Sequence, residues 1–255
     1  MTLQFLFILS FFFSPITQAA TSESLTQSNL NPNVDWPKPV DDSENFGLTL
    51  LERLEYESGQ DSSVNWDLIA WRGGDFNRVW IKSEGSYSLV KRNRGQTDFQ
   101  LLYGKLVSAF FDAQIGARIE QAWGDQNSTR VSGVLGLQGL SLYFFELEAA
   151  LFLGGSSGVS ARITGTKDFL FTQKTILQFR AESSASATKS EEFETGAGIN
   201  DLSLSLRLRY ELKRELAPYI GVNSTTLYGE TQDFGRRGGG ENAGWSAIAG
   251  LRAWY

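Results

Sequence analysis

Asp201-Leu202-Ser203-Leu204-Ser205-Leu206-Arg207-Leu208-Arg209-Tyr210-Glu211-Leu212-Lys213 alternates between apolar and polar side chains at every position. Successive side chains of a β-strand point to opposite faces, so this stretch predicts a strand with one apolar and one ionic face. A helix would scatter the same leucines around a cylinder.

The period continues in both directions. Phe145, Leu147, Ala149 and Leu151 alternate with Glu146 and Glu148, and Ala113, Ile115, Ala117 and Ile119 with Gln114, Gly116 and Arg118. Trp245, Ala247, Ala249, Leu251 and Ala253 alternate with Ser246, Gly250 and Arg252, while Ile248 and Trp254 interrupt that pattern. About twelve such segments follow one another, at 47–57, 63–73, 76–87, 96–106, 110–122, 130–140, 143–153, 158–167, 173–184, 200–213, 216–228 and 242–255. Their length suits tilted transmembrane strands of ~9–11 residues plus extensions. One set of connections is short (Gly74-Asp75, Ser141-Leu142, Arg214-Glu215). The other tends to be long and polar (Ser88–Gly95, Ala185–Ile199, Gly229–Glu241). The expected fold is all-β: a transmembrane antiparallel up-and-down barrel of about 12 strands over residues 47–255.

Alternation alone does not say which face is inside; a soluble exported barrel with an apolar ligand would alternate as well. Three features favour the membrane form. Residues 1–19 read as a secretory signal, with an apolar run from Phe5 to Phe13 and small residues near Ala19, and the polar, proline-bearing residues 20–46 as a disordered periplasmic lead-in. Aromatic residues (Trp66, Tyr87, Tyr103, Tyr143, Tyr210, Tyr228, Trp245) cluster at strand ends, as interfacial girdles require. The last segment ends on Tyr255, resembling the terminal strand by which outer-membrane barrels engage the barrel assembly machinery. Lipid cannot satisfy a backbone N–H, so a spanning sheet must close on itself. The expected location is the bacterial outer membrane, with lipid as the surrounding partner.

Composition removes whole classes of function. The 255 residues contain no His, no Cys and a single Met, the first residue. Ser-His-Asp and Cys-His nucleophiles, disulfides and zinc sites with nitrogen or sulfur ligands are all excluded. The net charge of −6 argues against nucleic acid as a partner. No catalytic residue is assigned, and no enzyme is expected.

With the ionic face taken as the lumen, Arg78, Lys82, Arg118, Arg162, Arg180, Arg207, Arg209 and Arg252 form the basic half of an interior ion-pair network. Asp67, Glu84, Glu146, Glu148 and Glu211 are the candidate ligands for a hard or borderline cation. Glu146 and Glu148 share a face, roughly 7 Å apart along a strand. The competing reading is a narrow barrel whose interior charges simply pair and fill it.

Several motifs carry a family resemblance. They are Trp66-Asp67, Gly73-Gly74-Asp75, Trp80-Ile81-Lys82-Ser83-Glu84-Gly85, Phe144-Phe145-Glu146-Leu147-Glu148-Ala149, Leu206-Arg207-Leu208-Arg209-Tyr210-Glu211 and Ala249-Gly250-Leu251-Arg252-Ala253-Trp254-Tyr255. In that order, over residues 47–255, the chain resembles the copper resistance protein B family. The resemblance implies an outer-membrane barrel that binds copper, maintains copper homeostasis or passes copper across the membrane. Members commonly carry a Met- and His-rich segment before the barrel; Thr21–Phe46 contains neither residue. Copper as cofactor would then rest on the lumen carboxylates, or on a periplasmic copper-binding protein that delivers the ion. The alternative is a small-solute channel or structural barrel that no longer binds copper.

Overall fold

The structure is a computed structural model that describes residues 44–59, 62–90, 94–124, 127–154, 158–237 and 243–255. The expected signal (1–19), the lead-in up to residue 43 and the Gly238-Gly239-Gly240 run lie outside them. Strands β1 (Phe46–Glu57), β2 (Ser63–Gly73), β3 (Asn77–Ser88), β4 (Gly95–Ser108), β5 (Phe111–Trp123) and β6 (Ser128–Ser141) make the first half of the sheet. Strands β7 (Phe145–Leu153), β8 (Val159–Leu170), β9 (Thr175–Ser186), β10 (Gly198–Tyr210), β11 (Leu216–Leu227) and β12 (Ala243–Trp254) make the second. Each strand pairs antiparallel with its sequence neighbours, and β1 pairs with β12 to close the barrel. The expected architecture is the one found, and β2 has the expected bounds, 63–73.

Both described chain ends lie at the rim that carries the short turns; Thr49 and Tyr255 exchange two backbone hydrogen bonds of 2.8 Å there. We call this the turn end, and the opposite rim the loop end. The alternating leucines sort as one would expect from inverted burial. Ile115 (58% exposed), Val131 and Ile220 stand outward, while Lys82 (2%), Asp67 and Arg207 are buried inside. The question that alternation left open is thereby answered: the ionic face is interior.

Four details depart from a uniform period. Register shifts in β1 between Leu51 and Arg53 make Glu52 a bulge residue, so Glu52 and Arg53 both send their polar groups inward. Ile248, which interrupts the period of the last strand, is buried on the lumen side. Strand β7 starts at Phe145 rather than Tyr143, because Leu142–Phe144 form a 3-10 turn. The segment expected as a polar loop over 229–241 contains a helix, α1 (Gly229–Arg237). It is short, with one large apolar residue, Phe234, so no helical stripe announces it; Glu230 in its first turn suits the helix dipole.

The loop end is bridged. From the segment between β9 and β10, Glu194 reaches Arg94 at 2.5 Å beside β4, and Phe193 lies under the Arg130 guanidinium of β6, 4.2 Å from its ring centroid. Helix α1 braces this strap: the Gly196 N–H donates to the Thr231 hydroxyl at 2.8 Å, and that hydroxyl donates to Asn200 at 3.1 Å.

Candidate functional site

The lumen is filled by ion pairs, several of which cross it. Arg162 on β8 donates two hydrogen bonds to Glu84 on β3, at 2.9 and 3.1 Å, between strands on nearly opposite walls. Lys82 on β3 meets Glu148 on β7 at 2.7 Å and Gln138 on β6 at 2.9 Å. Arg207 on β10 makes a two-pronged pair with Glu55 on β1, both bonds at 3.1 Å, and the Tyr219 hydroxyl adds a third at 3.0 Å. Asp67 accepts from Arg53 at 3.2 Å and has Arg180 at 3.8 Å across the barrel.

Other pairs line the wall. Arg118 holds Asp98 at 2.6 Å, Arg78 holds Asp112 at 2.7 Å, Arg209 holds Asp168 at 2.8 Å and Arg252 holds Glu52 at 2.8 Å. Paired, two-pronged geometry is what allows charges to be buried at all, since an isolated one would cost several kcal/mol.

Between the charges stands an apolar row in register. Trp80 pairs with Leu102, Leu102 with Gly116, Gly116 with Val134, and Val134 with Phe152. Trp80, Leu102, Val134 and Phe152 are all buried on the lumen side. Gly104 makes room for this row, because a Cβ there would stand 2.6 Å from the Trp80 indole nitrogen. The Phe152 ring carries Arg118 at 4.1 Å and Arg162 at 5.7 Å. Trp71 packs on Trp80 with ring centroids 5.9 Å apart.

All eight basic residues expected in the lumen network lie inside and have a carboxylate partner. The five candidate ligands are not brought together. Asp67, Glu84 and Glu148 are each committed to a cation. Glu211 falls beyond the end of β10, its N–H bonded to the Lys174 carbonyl, in the turn that leads to β11. Glu146 faces the vestibule at the turn end with no ion pair among the described residues, in the field of Glu52, Asp168, Arg209 and Arg252. Among the described residues no group of three or more acidic side chains is placed to hold a metal ion.

Interior charges beyond those named from the sequence include Glu52, Glu57, Asp168 and Arg130. Strict alternation from Arg53 and Glu55 would turn Glu52 outward, but the doubled Leu50-Leu51 followed by Glu52-Arg53 marks the slip. Asp168 lies beyond the strand expected at 158–167, and β8 runs on to Leu170. Arg130, at the start of β6, holds Glu120.

The chain is a closed antiparallel barrel with charges inside and an apolar exterior. Its fold is similar to that of the NanC porin, with a TM-score of 0.50 and 12% identity, covering 81% of this chain and 98% of that one. Residues 45–255 match the family described as copper resistance protein B precursor. Copper resistance protein B of Escherichia coli is 37% identical over 212 residues, covering 82% of this chain and 69% of the relative. The copper resistance protein B homolog of Pseudomonas syringae pv. tomato is 32% identical over 220 residues, covering 85% and 72%. The chain belongs to the copper resistance protein B family.

Proposed function

We propose that this chain is a non-enzymatic outer-membrane barrel acting in copper resistance, and that it handles copper as transient cargo. The observation that carries this reading is the inverted burial, charges in and leucines out, in a chain of that family. A bilayer accepts such a surface, while water does not favour a continuous apolar belt of this extent. Residues 1–19 then serve export, residues 20–46 stand on the periplasmic side, and the β12 segment ending in Tyr255 engages the assembly machinery. A periplasmic copper-binding protein is the natural donor of the ion.

The residues present do not fit copper as a resident cofactor. Cu(I) selects thiolate or thioether and Cu(II) imidazole, and beyond Met1 the chain has neither sulfur nor imidazole. Most interior carboxylates are matched to guanidinium or ammonium groups, while Glu57 and Asp201 accept from neutral donors. Glu146 in the turn-end vestibule, which has no ion pair among the described residues, is an oxygen ligand suited to weak, rapidly exchanging contact with a cation. Passage beyond it requires the Glu84–Arg162 and Lys82–Glu148 bridges to part.

Those same bridges favour a second reading, a structural barrel that binds no copper. Two measurements separate the readings: copper sensitivity of a strain lacking the gene, and copper titration of the refolded full chain beside Glu146→Gln. The expected result is increased sensitivity, with copper binding that falls several-fold in Glu146→Gln while its unfolding midpoint stays unchanged. A strain of ordinary tolerance, with binding no greater than a buffer control, makes the barrel structural.

A further inference from the structure

The short turns of this barrel are built unlike turns that meet water. Each of the five carries an exposed apolar side chain: Phe76 (62%), Phe110 (66%), Tyr143 (83%) with Phe144 (75%), Phe171 (66%) and Leu212 (59%). Tight hairpin turns ordinarily recruit Gly, Asn or Asp, which tolerate positive φ and hydrogen-bond water. Here Tyr143 and Phe144 occupy positive φ of 61° and 59°, a region that disfavours both, and their rings project outward. Lys167 stretches along the same turn, its ammonium donating to the Tyr143 carbonyl and lying 5.4 and 5.5 Å from the Phe144 and Phe145 rings. An apolar stem with its charge drawn back to a carbonyl is the posture of a lysine at a lipid boundary.

The loop end has a different surface. Its described connections present ionic groups such as Arg94, Glu194, Lys189 and Glu191 beside exposed Leu89, Val90 and Tyr228, while the turns add exposed Lys174, Lys213, Arg214 and Glu215 to their apolar side chains.

We propose that the five turns themselves lie within the interfacial zone of the bilayer, so that the barrel sits off centre with its turn end immersed. This rests on the membrane reading given above and goes beyond it by fixing depth. The occupant of the turn surface is lipid rather than a docked protein for two reasons. The apolar residues recur at every turn around the ring instead of marking one side. They also continue without a break into the strand belt, through Phe169 and Tyr210. With ~9–11 tilted residues needed to span, strands of up to 14 residues then leave their surplus at the loop end.

The absence of cysteine makes the test direct. Single-cysteine variants of the full chain are spin-labelled at Phe144→Cys and Phe171→Cys in the turns. Leu204→Cys in mid-strand and Glu191→Cys in the loop-end strap are the references. All four are refolded into phosphatidylcholine vesicles and into native outer-membrane lipid, with folding verified by heat-modifiable gel mobility. Having two turn sites guards against one variant that fails to fold. The expected result is accessibility to a water-soluble nickel chelate at both turn sites several-fold below Glu191→Cys and near that of Leu204→Cys. Turn labels as accessible as Glu191→Cys, with Leu204→Cys protected, overturn the proposal and leave the membrane reading standing. Leu204→Cys at the level of water overturns both. Protection of the turns in intact cell envelopes but not in lipid vesicles overturns the proposal in favour of a covering protein.

Discussion

Along β3 to β7 the lumen wall is packed with carbon: Trp80, Leu102, Val134 and Phe152 follow one another in register, with Gly104 hollowed out to admit the indole. Along β9 to β12 and β1 the same wall, besides Ile248, Tyr219 and the Arg207–Glu55 pair, carries a network of small polar groups. Glu57 accepts from Asn65 at 2.8 Å, from Asn223 at 2.9 Å and from the Ser246 hydroxyl, while Asp201 accepts from the Ser184 N–H at 2.9 Å. Ser203 and Thr225 extend this network without contributing charge. One half fills space with apolar side chains in register and the other with hydrogen-bonded polar groups. The comparison teaches that a barrel of fixed circumference can be closed inside by two unlike means.

Three substitutions sharpen or break that contrast. The largest effect is expected for Phe152→Ala, since a buried ring deleted from a packed row costs about 3–5 kcal/mol; urea unfolding of the refolded barrel in vesicles reads it. A loss below about 1 kcal/mol would mean that the row is not packed. An intermediate loss of about 1.5–3 kcal/mol is expected for Tyr219→Phe, which takes from the buried Glu55 a hydroxyl bond to a charged acceptor. The same unfolding series measures it, and the loss should vanish when Glu55 and Arg207 are already replaced together by leucine. The smallest effect belongs to Ser203→Ala. Its neighbours Asn223 and Thr225 keep other partners, so the change should stay within about 1 kcal/mol. A larger value would make the hydroxyl half as tightly coupled as the apolar half.

How much of this was legible beforehand follows from the reach of each signal. Alternation is local, so all the strands could be placed from it, and Leu202 to Tyr210 emerge as drawn. Parity is fragile, however. A single bulge at Glu52 turns a charge from one face to the other, and Ile248, which interrupts the alternation, is a buried lumen side chain. The ionic set of the interior was legible as a list but not as pairs. Glu84 and Arg162 stand 78 positions apart, and Glu55 and Arg207 stand 152 apart. No spacing rule links residues that meet only because a sheet has curled. The five proposed cation ligands illustrate the cost: they share a face in the sequence, yet the barrel gives three of them to arginine or lysine and leaves one outside. Helix α1 and the strap over the loop end were silent for another reason. Their contacts are with each other and with distant strands, and neither has a periodic face of its own.

The three acidic residues of β1, Glu52, Glu55 and Glu57, each find a partner far along the chain, although Glu57 also accepts from the nearby Asn65. Arg252, Arg207 and Ser246 lie 200, 152 and 189 positions away. Thermodynamically that distance is inexpensive, since each doubling of a loop adds only about 0.6 kcal/mol of closure entropy. In time it is not. Contacts so remote in sequence form slowly because nothing local hastens the encounter. The strand that leaves the ribosome first is therefore the one whose charges wait longest, and the barrel's earliest segment is completed by its latest.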